Sequence, residues 1–170
     1  MRTLFNQWRG PSGRAEPLYS ALVAEARRPA WFVDGAVPDT LDGRFAVLAS
    51  LVALAILRLE EGGEHAVRGS VALTESFIAD MDAQMREEGF GDQSLGKQVR
   101  SMVGALAARV DRWRHARTGE VDWADAVRFS IYRDEAPIES AATFSGEALR
   151  RVDEGMAGAS DETLMKGVLA

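Results

Sequence analysis

The chain has 170 residues, 46% of them hydrophobic and 27% charged, which fits one soluble globular domain and excludes a disordered or collagen-like protein. Lys and Arg number 20 against 26 Asp and Glu, a net charge of −6, so nucleic acid is not expected as the main ligand. With no Cys and only His65 and His115, the chain has no means for a disulfide, a thiolate nucleophile, a Cys-ligated metal, covalent haem attachment or a multi-histidine metal site of its own.

The first nine residues lack the apolar stretch of a secretory signal, which gives a cytoplasmic expectation. Residues 1–28 carry five Arg and two Glu, and with Leu4, Phe5 and Trp8 they suggest a peripheral touch on an anionic membrane surface. Residues 1–15 are otherwise expected as a flexible leader to the helical domain. The period is helical almost throughout, and no alternating strand stands out. Pro17 can open a helix whose short stripe, Leu18, Leu22, Val23 and Ala26, ends at Arg28-Pro29. A turn from Pro29 to Pro38 follows, carrying Trp31 and Phe32 as a lid on the core or as a partly exposed apolar patch.

Asp39 or Thr40 can cap the next helix, Leu41 to Glu61, with Asp42 in its first turn. The run Phe45–Leu57 is apolar nearly all round. At 13 residues it falls short of the about 20 that span a bilayer, so it reads as a helix buried in a bundle. After Gly62-Gly63, a helix from His65 to Glu88 carries Val67, Val71, Ile78, Met81 and Met85 on one stripe, with Gly89-Phe90 as a Schellman ending. A helix from Ser94 to Arg117 places Leu95, Val99, Met102, Leu106, Val110 and Trp113 together. Trp123–Arg133 and Ser145–Glu154 complete the set. The domain is thus expected over residues 16–154, with a partly mobile tail over 155–170 because small residues dominate there. The fold class is all-α, a single-domain bundle of six to seven helices.

Acids concentrate from Glu75 to Asp92 and bases from Lys97 to Arg117. These two helices either pair antiparallel through opposite charge or carry solvated faces. A general interaction scaffold built on the charged hairpin 65–117 is therefore the alternative function.

Candidate chemistry is thin. Gly91–Lys97 matches GxxxxGK, but Gln98 stands where a magnesium-binding hydroxyl belongs and no strand precedes it. Asp111 and His115 share a helix face, as an ordinary acid–His contact does. Asp80 and Asp82 point to different faces and cannot share a proton. No cofactor, no metal and no catalytic constellation is implied, so a non-enzymatic protein is expected.

Three stretches read in order resemble the ubiquinol–cytochrome c chaperone family, assembly factors of the respiratory cytochrome bc complex. They are Leu18-Tyr19 with Ala26-Arg27-Arg28-Pro29-Ala30-Trp31-Phe32; Val37-Pro38-Asp39-Thr40-Leu41-Asp42-Gly43-Arg44-Phe45; and Phe77–Asp82 leading to Arg86–Asp92 and Lys97. The second, PDTxDGRF, is the most specific. Around position 50 the helix is Ala- and Leu-rich where a His or other polar residue is expected. The resemblance implies a helical, non-enzymatic chaperone whose client is a membrane protein, cytochrome b of the complex, and the short acidic chain looks like a bacterial member. Trp31, Phe32, Asp39, Asp42, Arg44, Asp80, Asp82 and Lys97 are the partner-binding candidates. Nothing in the sequence sets the oligomeric state.

Overall fold

A computed structural model describes residues 15–133, 135 and 137–169. Among the described residues the chain forms eight helices and no strand: α1 (Glu16–Ala26), α2 (Ala30–Val33), α3 (Leu41–Glu60), α4 (Glu64–Glu87), α5 (Asp92–Thr118), α6 (Trp123–Tyr132), α7 (Glu139–Gly158) and α8 (Asp161–Met165).

The all-round apolar run dictates the architecture. A helix with no polar face must be surrounded, and α3 is the axis against which α1, α4, α5, α6 and α7 pack. Every residue from Phe45 to Leu57 is buried. Ser50, the one polar residue in that run, returns its hydroxyl to the Ala46 carbonyl at 2.7 Å, so it needs no partner from another helix. Thr40 is the N-cap, its Oγ1 accepting from the Gly43 amide at 3.2 Å. Gly43 has no room for a side chain, because a Cβ there would lie 1.9 Å from the Pro38 carbonyl oxygen. Gly89 takes φ +88° after α4, and the Phe90 amide donates to the Met85 carbonyl at 3.1 Å, the expected Schellman ending.

Two segments differ from expectation. Within the Pro29–Pro38 turn, α2 makes one turn of helix and buries Trp31. The last long helix starts six residues earlier than Ser145 and runs past Glu154 to Gly158, and α8 follows it. Residues 155–165, read as the start of a mobile tail, are anchored instead: Met156 and Leu164 are fully buried. The cause is polar as well as apolar. Arg58, on the last turn of α3, donates to the carbonyls of Met156 (3.0 Å) and Ala159 (2.7 Å) and to Asp161 (2.9 Å), while Asp161 accepts from the Gly63 amide at 3.0 Å. One guanidinium therefore ties together the ends of α3 and α7 and the start of α8. Leu4, Phe5, Trp8 and three of the five Arg of the basic stretch 1–28 lie in residues 1–14, outside the described residues.

A second buried cation fixes α6. Arg109 of α5 donates through Nε and Nη2 to the Ser130 carbonyl at 3.0 and 2.8 Å, and through Nη1 to the Ala105 carbonyl at 3.0 Å. Ser130 lies in the last turn of α6, whose carbonyls lack intrahelical donors, so Arg109 completes that helix end. Its guanidinium also lies 5.3 Å from the Phe45 ring centroid. Burial pulls its pKa down to about 10.

Candidate binding groove

Where α1, α2 and the start of α3 meet the second half of α4, the surface opens into a groove of about 590 Å³. Its apolar walls are Val23 and Ala26 of α1, Phe32 and Val33 of α2, Phe45 and Leu48 of α3 and Met81 of α4. Its polar margin is Arg27, Asp39, Arg44, Asp80 and Gln84. Apolar walls with a charged margin suit a segment of another polypeptide that is apolar on one side.

Each wall has a local reason for its position. Pro29, itself part of the lining, starts α2 as a helix-compatible residue, and the Trp31 indole N–H donates to the Glu25 carbonyl at the end of α1, at 2.9 Å. Trp31 then packs edge-on against Phe144 of α7, with centroids 6.2 Å apart. This pins α2 from behind and turns the next residue, Phe32, toward the groove. Behind α2 the chain passes over α6 and α7, where the Tyr132 hydroxyl meets the Gly35 carbonyl at 2.6 Å, Ser145 Oγ at 2.8 Å and the Ala141 carbonyl at 3.0 Å. On the α4 side, the Tyr19 hydroxyl donates to Asp80 Oδ2 at 2.6 Å. Burial, with the Asp80 carboxylate second, pushes the Tyr19 phenol far above its ordinary range, so it stays a donor and holds Asp80 at the margin. On the opposite margin Arg44 Nε donates to Asp39 Oδ1 at 2.8 Å, an exposed pair that raises the Arg44 pKa.

Four of the eight sequence candidates thus gather in one place: Phe32, Asp39, Arg44 and Asp80. The other four do not. Trp31 is 1% exposed and serves as the peg under the wall, so it offers no surface to a partner. Asp42 faces Arg133 at the end of α6, 3.6 Å away. Asp82 pairs with Arg86 at 2.9 Å along α4, and Lys97 is exposed on the second turn of α5. Asp80 and Asp82 do diverge, as their spacing requires. Sequence reasoning missed Val23, Leu48 and Gln84 as groove residues, and Tyr19 as the partner of Asp80. Val23 and Leu48 signal only apolar periodicity, which is equally the signal of a core, and Gln84 and Tyr19 carry no signal of their own.

The charged hairpin is neither zipped by opposite charge nor a pair of solvated faces: Arg109 of α5 is buried and Arg117 largely covered. The cations of α5 turn away from α4: Arg114 pairs with Glu60 at 2.9 Å, Arg117 with Glu61 at 3.2 Å and with Asp153, and Arg112 lies over Phe129 at 4.5 Å. Between the two helices, only Arg86 with Asp92 at 3.3 Å forms an ion pair among the described residues. The Gly91–Lys97 stretch is the α4–α5 turn and the opening of α5, a helix-to-helix connection. His115 Nδ1 lies 2.9 Å from the carbonyl oxygen of Asp111, a local helical contact.

Among the described residues no helix is long and apolar enough to cross a membrane. No curated protein matches the chain in sequence. In fold, the chain is similar to the protein in the crystal structure of the Cbp3 homolog from Brucella abortus, with a TM-score of 0.76 and 25% identity, covering 96% of this chain and 93% of that one. The model of the ubiquinol-cytochrome C chaperone family matches residues 33–170, more than three quarters of the chain, and the protein belongs to that family.

Proposed function

We propose that the protein is an assembly chaperone of the cytochrome bc complex and that the groove between α1, α2, α3 and α4 holds a segment of its client, cytochrome b. One observation carries this reading: in a chain of the ubiquinol–cytochrome c chaperone family, three residues of the stretch most specific to the resemblance, Asp39, Arg44 and Phe45, line the same apolar groove. Nascent transmembrane helices expose apolar stripes that need temporary cover, and Val23, Phe32 and Val33 offer it above the buried floor of Phe45, Leu48 and Met81. Asp80, held by Tyr19, and the Asp39–Arg44 pair receive the polar flanks of the segment, and so favour one orientation over the other. Binding of this kind makes and breaks no covalent bond, so the chaperone acts as a non-enzymatic holder, working at the cytoplasmic face of the membrane where its client inserts.

The test places a photocrosslinking residue at Phe32 or at Gln84 in cells and identifies what is captured. Cytochrome b crosslinked at these positions, and not from Ala108 on the outer face of α5, is the expected result. In parallel, Phe32→Asp should lower assembled cytochrome bc complex while the chaperone's own level stays unchanged. Capture of other proteins only, or normal complex in the variant, refutes the proposal.

A further inference from the structure

A second depression of about 420 Å³ lies along the first half of α4 and shares no residue with the groove above. Its floor is Gly69, Ala72 and Met165. Gly69 is there for close approach, because a Cβ would sit 2.9 Å from Met165 Sδ. Arg68 marks one end and Glu75 the other, about 10 Å apart along the helix. Between them Val71 stands 58% exposed, and Val67, one turn back, is 42% exposed. Leu73, Phe77, Met81 and Met85 of α4 are buried, so two exposed valines beside a small-residue hollow mark an uncovered face.

The charge pattern of this face is complementary to itself. When two copies of a helix pack antiparallel about a two-fold axis, residue i faces residue j with i + j constant. Arg68 pairs with Glu64 of its own helix at 2.7 Å, an exposed contact that it can exchange; an axis between Val71 and Ala72 sets Arg68 opposite Glu75 of the second copy, and Glu75 opposite its Arg68. The same register drops each Val71 onto the other copy's Ala72, beside the hollow that Gly69 leaves. Any other partner would have to supply its own matching cation and anion at this spacing. A second copy supplies both by symmetry.

We propose that this protein self-associates through α4 as a two-fold dimer, centred on Val71 and Ala72 and closed by two Arg68–Glu75 pairs between subunits. The dimer leaves the client groove of both copies uncovered by these contacts, and its existence does not depend on what that groove holds.

The chain contains no Cys, which makes a clean test available. In the Val71→Cys variant, any disulfide-linked dimer joins residue 71 to residue 71. Mild oxidation should give that dimer, and a matched Ala107→Cys variant on the outer face of α5 should not. Sedimentation equilibrium should show a species of twice the 18.5 kDa chain mass at low salt, dissociating as salt screens the two pairs. Val71→Asp should yield a folded monomer whose melting temperature no longer depends on protein concentration, because the side chain is exposed within the subunit. Arg68→Glu and Glu75→Arg should each weaken association by about tenfold or more, and the two together should restore it. A monomer at every concentration, a dimer indifferent to Val71→Asp, or a double variant no better than the singles would overturn the proposal. So would a different protein that copurifies with the chain and shields this face from oxidation of Cys at position 71.

Discussion

The Tyr132 hydroxyl offers the sharpest check on how the groove is built. It has one proton to give and faces three oxygens, of which the Gly35 carbonyl is nearest at 2.6 Å, with Ser145 Oγ at 2.8 Å able to donate to it in return. Tyr132→Phe keeps the ring packing and removes both bonds. The Gly35 carbonyl is then left without its donor and the Ser145 hydroxyl without its acceptor, both in buried surroundings, and each orphaned group costs about 1–3 kcal/mol. Since Ser145 can rotate to a helical carbonyl of its own, one full penalty is expected, about 2 kcal/mol. At about 2–4 °C per kcal/mol for a chain of this size, the melting temperature should fall by about 4–8 °C. Urea unfolding should give the same loss with an unchanged slope, because no additional surface is exposed. The consequence is also local. Gly35 cannot relax by moving inward, since a Cβ on it would already lie 2.5 Å from the Trp31 carbonyl. Hydrogen exchange should therefore accelerate over Gly35 to Val37 more than in α4. A variant within about 0.5 kcal/mol of the parent, or one whose exchange rises evenly across the molecule, would show that this hydroxyl does not hold the back of the groove wall.

Arg109→Ala should cost about 3 kcal/mol or more in urea unfolding, because it opens a cavity against Phe45 and strips the Ser130 carbonyl of both its donors; Arg109→Met, which refills the volume, should recover only the packing part. The Gly63 amide first, and Arg58 next, hold the Asp161 carboxyl below its ordinary pKa. A depressed carboxylate stabilises the folded state above its unfolded pKa of about 3.9 and loses that contribution as pH falls through the folded value, so exchange in α8 should rise on acidification, and Asp161→Asn should flatten that response. Both tyrosines are raised, chiefly by burial, so their contribution is complete below about pH 10 and is lost as pH climbs. Phenolate absorbance should therefore appear together with unfolding and not before it, and an early, independent ionisation would contradict the burial of Tyr19 and Tyr132.

The parts of the molecule legible from sequence are those whose cause is local. An apolar run without a polar face needs no knowledge of its neighbours to be placed at the centre, so the position of α3 follows from Phe45–Leu57 alone. Glycine at Gly62-Gly63, Gly89 and Gly119 punctuates the chain where helices end, and Thr40 caps the central helix by a contact within four residues. What escaped depends on groups far apart in the chain. The end of α7 and the turn after it are rich in Gly, Ala and Ser as a tail would be; with the start of α8 they are held by Arg58, about 100 residues away in sequence, and no window of the chain contains both partners. Trp31 in a Pro-bounded turn looks like an exposed anchor until the Glu25 carbonyl and Phe144 are seen to enclose it.

The same distinction explains the groove. Its charged margin was within reach because Asp39, Arg44 and Asp80 sit at positions where charge has no packing purpose, and the family resemblance draws attention to those stretches. Its walls were out of reach because Val23, Leu48 and Met81 repeat at the spacing of a core, and periodicity reports which face of a helix is apolar without reporting whether anything covers it. A groove is a gap between elements, set here by Trp31 and Tyr132 fixing α2 from behind and by Tyr19 fixing Asp80 from beside. These three aromatic residues touch carbonyls or a carboxylate through their polar atoms, so each converts a packing contact into a directional one. A surface that must accept a passing apolar segment cannot rely on that segment to hold its shape. Its rigidity has to come from behind the wall, and in this chain it comes from polar atoms on buried rings.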